Sequence, residues 1–421
     1  MNLERKLNEI RANFPHLDEM IYLGAAGSGP FSLIVYNAVK ECWNRRRYGS
    51  TLGGVGHAWF SERETLCRIE ASKLIGADPD EICFVSRVVQ GLNMVRDIIG
   101  YNDPWQKGDN VVITDQAYPS TGHTMLALRK KGVEIRKVAN VDGRIMREDM
   151  ERTVDDRTKL VCINRTSVGS GFTYDVKKVC EIVHEHKALV ADDAIQTLGA
   201  KVIDVHDDDV DFLVSGSYKW QLGPPEAGVF YVKRSLCESL EPAFWSYINV
   251  DKGPDVAGMD RFPFGALDHD TISSYDYPFP KDARRFEPGT TATDQLWAWH
   301  ATLKWLNGLG KENIEKRVCD LGTYLSERLT EIGCEVKTPM DPEPDALNTL
   351  RHGLTMYTTG GFERDVRSVS MMGSRPLRPV RGPTMKYQGG FGGIRVSPHI
   401  YNSEEEIDLF VEHQKRILEK V

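Results

Sequence analysis

The fold turns on two neighbouring stretches, ALVADDAIQ at 188–196 and FLVSGSYKWQLGPPEAG at 212–228. Each opens on an apolar run of strand length and closes on charged and polar residues. Unbroken apolar character, without alternation, marks a strand buried on both faces. Working outward, ICFVS (82–86), NVVITD (110–115), KLVCIN (159–164) and GVFYVK (228–233) have the same character. Between KLVCIN and ALVADD, Val176, Val179, Cys180 and Val183 recur at i, i+3, i+4 and i+7, the stripe of an amphipathic helix. Strand, helix and strand in repetition imply an α/β protein with a mostly parallel, doubly wound sheet.

In such a sheet, ligands bind beyond the carboxyl ends of the strands. Two strands end in pointed chemistry: Asp192-Asp193-Ala194-Ile195-Gln196, and Ser217-Tyr218-Lys219-Trp220 followed by the turn LGPPEAG. A lysine held out of water loses basicity and suits Schiff-base chemistry. A carboxylate on a neighbouring strand end can hold a ring nitrogen protonated. Lys219 and Asp193 forming a plain ion pair is the alternative for either residue taken alone.

The flanks are less regular. Leu3, Leu7, Ile10 and Phe14 predict a short amphipathic helix over 3–14, and the small-residue turn YLGAAGSGP at 22–30 lets backbone approach something closely. The stretch 251–285 has no period and is rich in Pro, Gly, Asp and aromatic residues, which predicts a functional loop. Residues 292–332 read as helices and 333–421 as a small α+β unit. That unit ends in a helix from Ser403, whose Glu406 stands at the N3 position of a capping box.

The 421 residues can bury a large core without a disulfide or metal staple. A net charge of −8 argues against a nucleic-acid partner. The eight cysteines form no C-x-x-C pair, and His184 and His186 at i, i+2 make a poor metal pair, so no metal is expected. The charged amino-terminal stretch MNLERKLNEIRANF has no apolar signal core, and no run approaches the ~18 apolar residues of a membrane span. The expectation is a cytoplasmic protein without a membrane partner.

Taken together the motifs resemble the class V aminotransferase group of fold-type I pyridoxal-phosphate (PLP) enzymes, which includes cysteine desulfurases and isopenicillin N epimerase-like proteins. The resemblance runs from about Tyr22 to Ile407. It rests on Asp193-Ala194-Ile195-Gln196, Ser217-Tyr218-Lys219, Arg285-Phe286-Glu287-Pro288-Gly289-Thr290, and Arg395-Val396-Ser397-Pro398-His399. It implies a large PLP-binding domain over 20–290 with a seven-stranded sheet, and a small α+β domain from 1–19 and 291–421.

The resemblance also implies roles. Lys219 is the Schiff-base lysine, and Asp193 is the partner of the pyridinium nitrogen, with Asp192 its competitor. Gln196 meets the phenolic oxygen of the cofactor, Tyr118 stacks on its ring, and Ser167 lies on a loop near the ring face. Arg395 grips the α-carboxylate of an amino-acid substrate. For the phosphate the candidates are Val88 and Val89, whose side chains depart from the family pattern and leave only backbone N–H groups, together with Ser217. Thr290 would reach the phosphate from the neighbouring subunit, which implies a homodimer.

The reaction is less determined. Desulfurases of this group need a cysteine on the loop before the carboxylate-binding arginine, and no cysteine follows Cys334. The segment 365–393 carries Arg367, Arg375, Arg378, Arg381 and Lys386 instead, either a basic lid for a second anionic or polar group or a solvated loop. The expected activity is that of a lyase or an aminotransferase. An amino-acid epimerase is the alternative, and a non-catalytic binding protein of the same fold a further one.

Overall fold

A computed structural model of the chain describes residues 3–49, 54–246, 249, 279–339, 341, 343–348, 350–372 and 379–420. Seven strands make the central sheet: β1 (Ile82–Phe84), β2 (Asn110–Thr114), β3 (Glu134–Val138), β4 (Thr158–Asn164), β5 (Leu189–Asp193), β6 (Phe212–Gly216) and β7 (Gly228–Val232). Their order is β1-β7-β6-β5-β4-β2-β3, and β7 alone runs against the rest. All six strands expected from the sequence lie in this sheet. The seventh, β3, reads EIRKV and escapes an apolar-run criterion because it is an edge strand with exposed charges, as edges commonly are.

The sheet is buried on both faces, as its apolar strands require. Side-chain alternation sends Val112, Val161, Ile163 and Val190 to one face and Val111, Ile113, Cys162 and Ala191 to the other. Against the second face lies α1 (Val88–Asn102), through Leu92, Val95 and Ile98. Against the first lies α2 (Val176–Glu185), through the expected Val176, Val179, Cys180 and Val183. The Asp175 side chain caps α2 by accepting from the Lys178 N–H, a bond worth about 1 kcal/mol.

The carboxyl-terminal unit holds a second, antiparallel sheet: β8 (Glu335–Val336), β9 (Thr355–Thr358), β10 (Thr384–Gln388) and β11 (Phe391–Val396), in the order β8-β9-β11-β10. Helices α3 (Lys311–Glu331) and α4 (Glu404–Leu418) share its core, which joins Leu321, Leu325, Tyr357, Ile394 and Phe410. The Ser403 side chain caps α4 by accepting from Glu406 N, while the Glu406 carboxylate takes hydrogen bonds from Arg11 and Asn402.

Several elements differ from the expectations. Over 3–14 there is a 3-10 turn, Glu4–Lys6, and one short helix, Leu7–Arg11, with Leu3, Ile10 and Phe14 buried against Ile400 and Tyr401. Two contacts join the 20–290 segment to the rest of the chain, as packing between two lobes requires. Ile21–Tyr22 pairs with Val380–Arg381, and the helix Thr293–Leu309 packs Trp297 and Ala298 against Val35 and Cys42. The segment 365–393 is no single loop: it contains most of the helix Phe362–Met372, all of β10 and the start of β11. Alternating Thr384, Lys386 and Gln388 with apolar or aromatic neighbours is a strand pattern that the proline-rich stretch before it obscured. Arg375, Arg378 and most of 251–285 lie outside the described residues.

Candidate active site

The turn before the site shows what small residues at 22–30 are for. The N–H of Gly29 donates to Tyr218 O at 2.7 Å, and a Cβ on Gly29 would stand 2.5 Å from the carbonyl oxygen of Lys219. Only glycine lets the amino-terminal segment close over the chain at that lysine.

Lys219 leaves the end of β6 into a cavity of about 280 Å³. Ser86, Arg87, Val88, Val89, Tyr118, Ser120, Asp193, Ile195, Tyr218, Pro225 and Glu226 complete its walls. The ammonium lies 5.6 Å from the Tyr118 ring centroid and 5.9 Å from that of Tyr218. Burial pulls the Lys219 pKa down, and the charges of Arg395 and Lys386 lower it further against the opposing pull of Asp193. Burial likewise raises the carboxyl of Asp193.

Alternation along β5 decides between the two aspartates. Asp192 faces the side of Val190, where its Oδ2 meets Arg165 Nε at 2.5 Å, and Arg165 Nη1 meets Asp208 at 2.6 Å. Asp193 faces the opposite side, toward Lys219 and the start of α1. Its Oδ1 accepts from the Ile195 N–H at 3.1 Å and its Oδ2 from Asn164 Nδ2 at 2.6 Å. Asn164 also accepts from Tyr118 N at 2.8 Å, so one side chain fixes both the carboxylate and the backbone that carries the aromatic ring. The sequence reading missed Asn164, although it ends a recognised strand and the strand-end rule applies to it as well. It missed Glu226 too, which pairs with Arg87 at the mouth of the cavity.

Val88 and Val89 open α1 and line the cavity; the next two N–H groups, of Gln90 and Gly91, already donate to Arg87 O at 3.0 and 3.2 Å, so Val88 and Val89 carry the first-turn N–H groups the helix does not use. Gln196 is held at both ends: it donates to Ala26 O at 3.0 Å and accepts from Trp220 Nε1 at 2.9 Å. Thr290 lies beside a smaller cavity of about 140 Å³ that shares Ser86 and Glu226 with the first. The two serines sit differently from the expectation. The Ser217 hydroxyl donates to Pro224 O, stabilising the LGPP turn, and does not line the cavity. Ser167 Oγ donates to Gln116 at 2.8 Å and accepts from the N–H groups of Gly169 and Ser170, which makes it the pivot of its own loop.

Arg395 is 4% exposed, on β11. Among the described residues its guanidinium has no carboxylate and no hydrogen-bond partner, and burial pushes its pKa down to about 10. A buried cation without a partner costs several kcal/mol and persists where a ligand supplies the missing anion. No cysteine lines the cavity. Seven of the eight are buried, Cys319 is half-buried, and burial raises their thiols.

The donor set suits pyridoxal phosphate: an amine for the aldehyde, a carboxylate for the ring nitrogen, an aromatic ring for stacking, and a helix start for the phosphate. Among the described residues no helix is long and apolar enough to cross a membrane.

Comparison with known proteins agrees with this donor set. A family model described as aminotransferase class-V matches residues 22–251 and 256–410. An uncharacterized aminotransferase of Bacillus subtilis is 24% identical over 96% of each chain. A probable cysteine desulfurase of Methanothermobacter thermautotrophicus is 25% identical over 98% of each. The apo structure of a cysteine desulfurase from Thermococcus onnurineus superposes with a TM-score of 0.80 at 20% identity, covering 98% of both chains.

Proposed function

The chain belongs to the class-V aminotransferase family, and from that premise we propose that it is a PLP-dependent lyase that eliminates a sulfur-bearing group from Cβ of an amino acid. Bound PLP supplies an electron sink that makes the Cα–H bond acidic. Lys219 would hold the cofactor through its Nζ, and the same amine would take the Cα proton. Its lowered basicity keeps a useful fraction of neutral amine near neutral pH. Asp193, held by Asn164, carries the charge opposite the ring nitrogen. Val88 and Val89 offer N–H groups to the phosphate, and Tyr118 covers the ring. Arg395 holds the α-carboxylate in a bidentate grip. In the net reaction the Cβ–S bond breaks with its electron pair on sulfur, and water converts the remaining three-carbon fragment to pyruvate and ammonia.

The observation that carries the reading is the unpartnered, buried Arg395 acting on the same site as Lys219. Elimination is favoured over desulfuration through an enzyme thiol because no thiol lines the cavity. Transamination is the second reading, supported by the name of the Bacillus relative. The protein acts as a cytoplasmic homodimer in which a second copy covers the open apolar groove of Phe31, Tyr36 and Trp43, and Thr290 of each copy serves the phosphate of the other.

The test is to load the protein with PLP and supply amino acids in turn. Pyruvate with ammonia identifies elimination, a keto acid without ammonia transamination, and an inverted stereocentre epimerisation. Lys219→Ala should lose the visible absorbance of the attached cofactor and at least about 10²–10⁴-fold in rate. A wild-type protein that stays colourless with PLP sinks the proposal.

A further inference from the structure

The β10–β11 hairpin carries more positive charge than an α-carboxylate requires. In its register Thr384 pairs with Arg395 and Lys386 with Gly393. Directly paired residues share a face, so Thr384, Lys386 and Arg395 stand together on one side, with Gly393 adding no side chain opposite the lysine. The neighbouring Tyr387 points the other way and donates to Asp365 at 2.8 Å. Asp365 is fully engaged there, accepting also from Thr358 at 2.9 Å and Thr359 at 2.7 Å. Asp365 is thus spent on the face away from Lys386, and the other carboxylate beside the hairpin among the described residues, Asp115, stands at its tip against Gly389.

Three polar groups on the near face remain without partners among the described residues. They are the Arg395 guanidinium, the half-buried Lys386 ammonium, and the buried hydroxyl of Thr384. The hairpin is also pinned in place. Asn140 Nδ2 donates to Gly389 O at 2.9 Å at the tip, and Asn140 is itself held by Asp115 Oδ2 at 2.8 Å. Burial and the Arg395 charge lower the pKa of Lys386, and Lys386 in turn acts on Lys219, so its charge is felt inside the site. Two cations on one face, with no carboxylate paired to either among the described residues, suit two anions.

We infer that Lys386 is a second anion-binding group of the substrate site, and that the enzyme prefers amino acids whose side chain or leaving group ends in an anion. Arg395 takes the α-carboxylate and Lys386 the distal carboxylate or sulfur oxyanion. This rests on the PLP-enzyme reading and adds the class of substrate to it.

The test uses PLP-loaded protein and matched pairs: S-sulfocysteine against S-methylcysteine, and L-aspartate against L-asparagine. Binding is read from the change in visible absorbance. The wild type should favour the anionic member by about tenfold or more. Lys386→Met should erase that preference and leave binding of the neutral members within about twofold, whereas Lys386→Arg should keep it. Unchanged cofactor absorbance in both variants establishes that the site is intact. Equal binding of anionic and neutral members by the wild type overturns the inference and leaves the PLP reading standing, as does a preference that survives in Lys386→Met. Failure of the wild type to take up PLP overturns both.

Discussion

Two arginines, each 4% exposed, stand on opposite sides of the same question. Arg165 meets Asp192 at 2.5 Å and Asp208 at 2.6 Å on the closed face of the sheet. Among the described residues Arg395 has no such partner, and its charge acts on Lys219. Burial costs both guanidiniums their hydration. In the first case two carboxylates from the same chain repay that cost, and the result is structure. In the second nothing in the described chain repays it, which is why we propose that a ligand does. The adjacent aspartates of β5 draw the same contrast one residue apart: Asp192 closes an internal network and Asp193 opens onto Lys219.

The contrast breaks if the two arginines respond alike to mutation. The largest effect on the fold should come from Arg165→Met, which leaves Asp192 buried beside no cation. A loss of about 3–5 kcal/mol is expected in denaturant unfolding. It should depend on pH with a definite sign. Burial already raises the Asp192 pKa to about 6 in the presence of Arg165, above its unfolded value. The folded variant therefore binds that proton more tightly than the unfolded chain. Its deficit should be small where Asp192 is protonated in both states and should grow as pH rises through the folded pKa. A deficit that is flat from pH 5 to pH 8 would show that Asp192 is not the stranded charge.

Next in size, Arg395→Gln should leave the fold as stable as the wild type or more so, because no internal pair is broken and the unrepaid burial of a charge is relieved. It should lower kcat/KM by about 10²-fold or more, the usual consequence of removing a desolvated charge partner of a ligand. Retained PLP absorbance with that loss separates substrate binding from cofactor binding. A variant as unstable as Arg165→Met would instead make Arg395 structural.

The smallest effect sharpens the aspartate comparison. Asn164→Ala removes the 2.6 Å bond that favours the charged form of Asp193. The carboxyl should then protonate at higher pH, so the acidic limb of the kcat profile should move upward, with a loss of about 1–3 kcal/mol at most in stability. An unmoved limb would mean that Asn164 does not hold Asp193 in its working state.

Much of this site was legible in the chain itself. Lys219, Asp193, Gln196 and Arg395 stand in motifs at strand ends, and the structure gathers Lys219 and Asp193 into one cavity with Tyr118, Val88 and Val89. Ser217 and Ser167 were harder. A hydroxyl next to a motif satisfies a turn as readily as a ligand, and only the positions of Pro224 and Gln116 decide which. Asn164 went unseen because its importance lies in two partners remote in sequence. The β3 edge strand went unseen because its charges break the apolar run, and the β10–β11 hairpin because a proline-rich stretch leads into it.

By itself the sequence determined which segments are buried on both faces, where their polar ends fall, and that no cysteine follows Cys334. Those are properties of composition and of the two-residue period, which need no knowledge of neighbours. The tertiary structure alone decided that Asn164 holds Asp193, that Arg165 is paired while Arg395 has no partner among the described residues, and that Lys386 shares a face with Arg395. The physical reason is that a buried charge is defined by its partners. In this fold those partners come from strands and helices far apart in the chain, so their presence or absence exists only once the sheet has assembled.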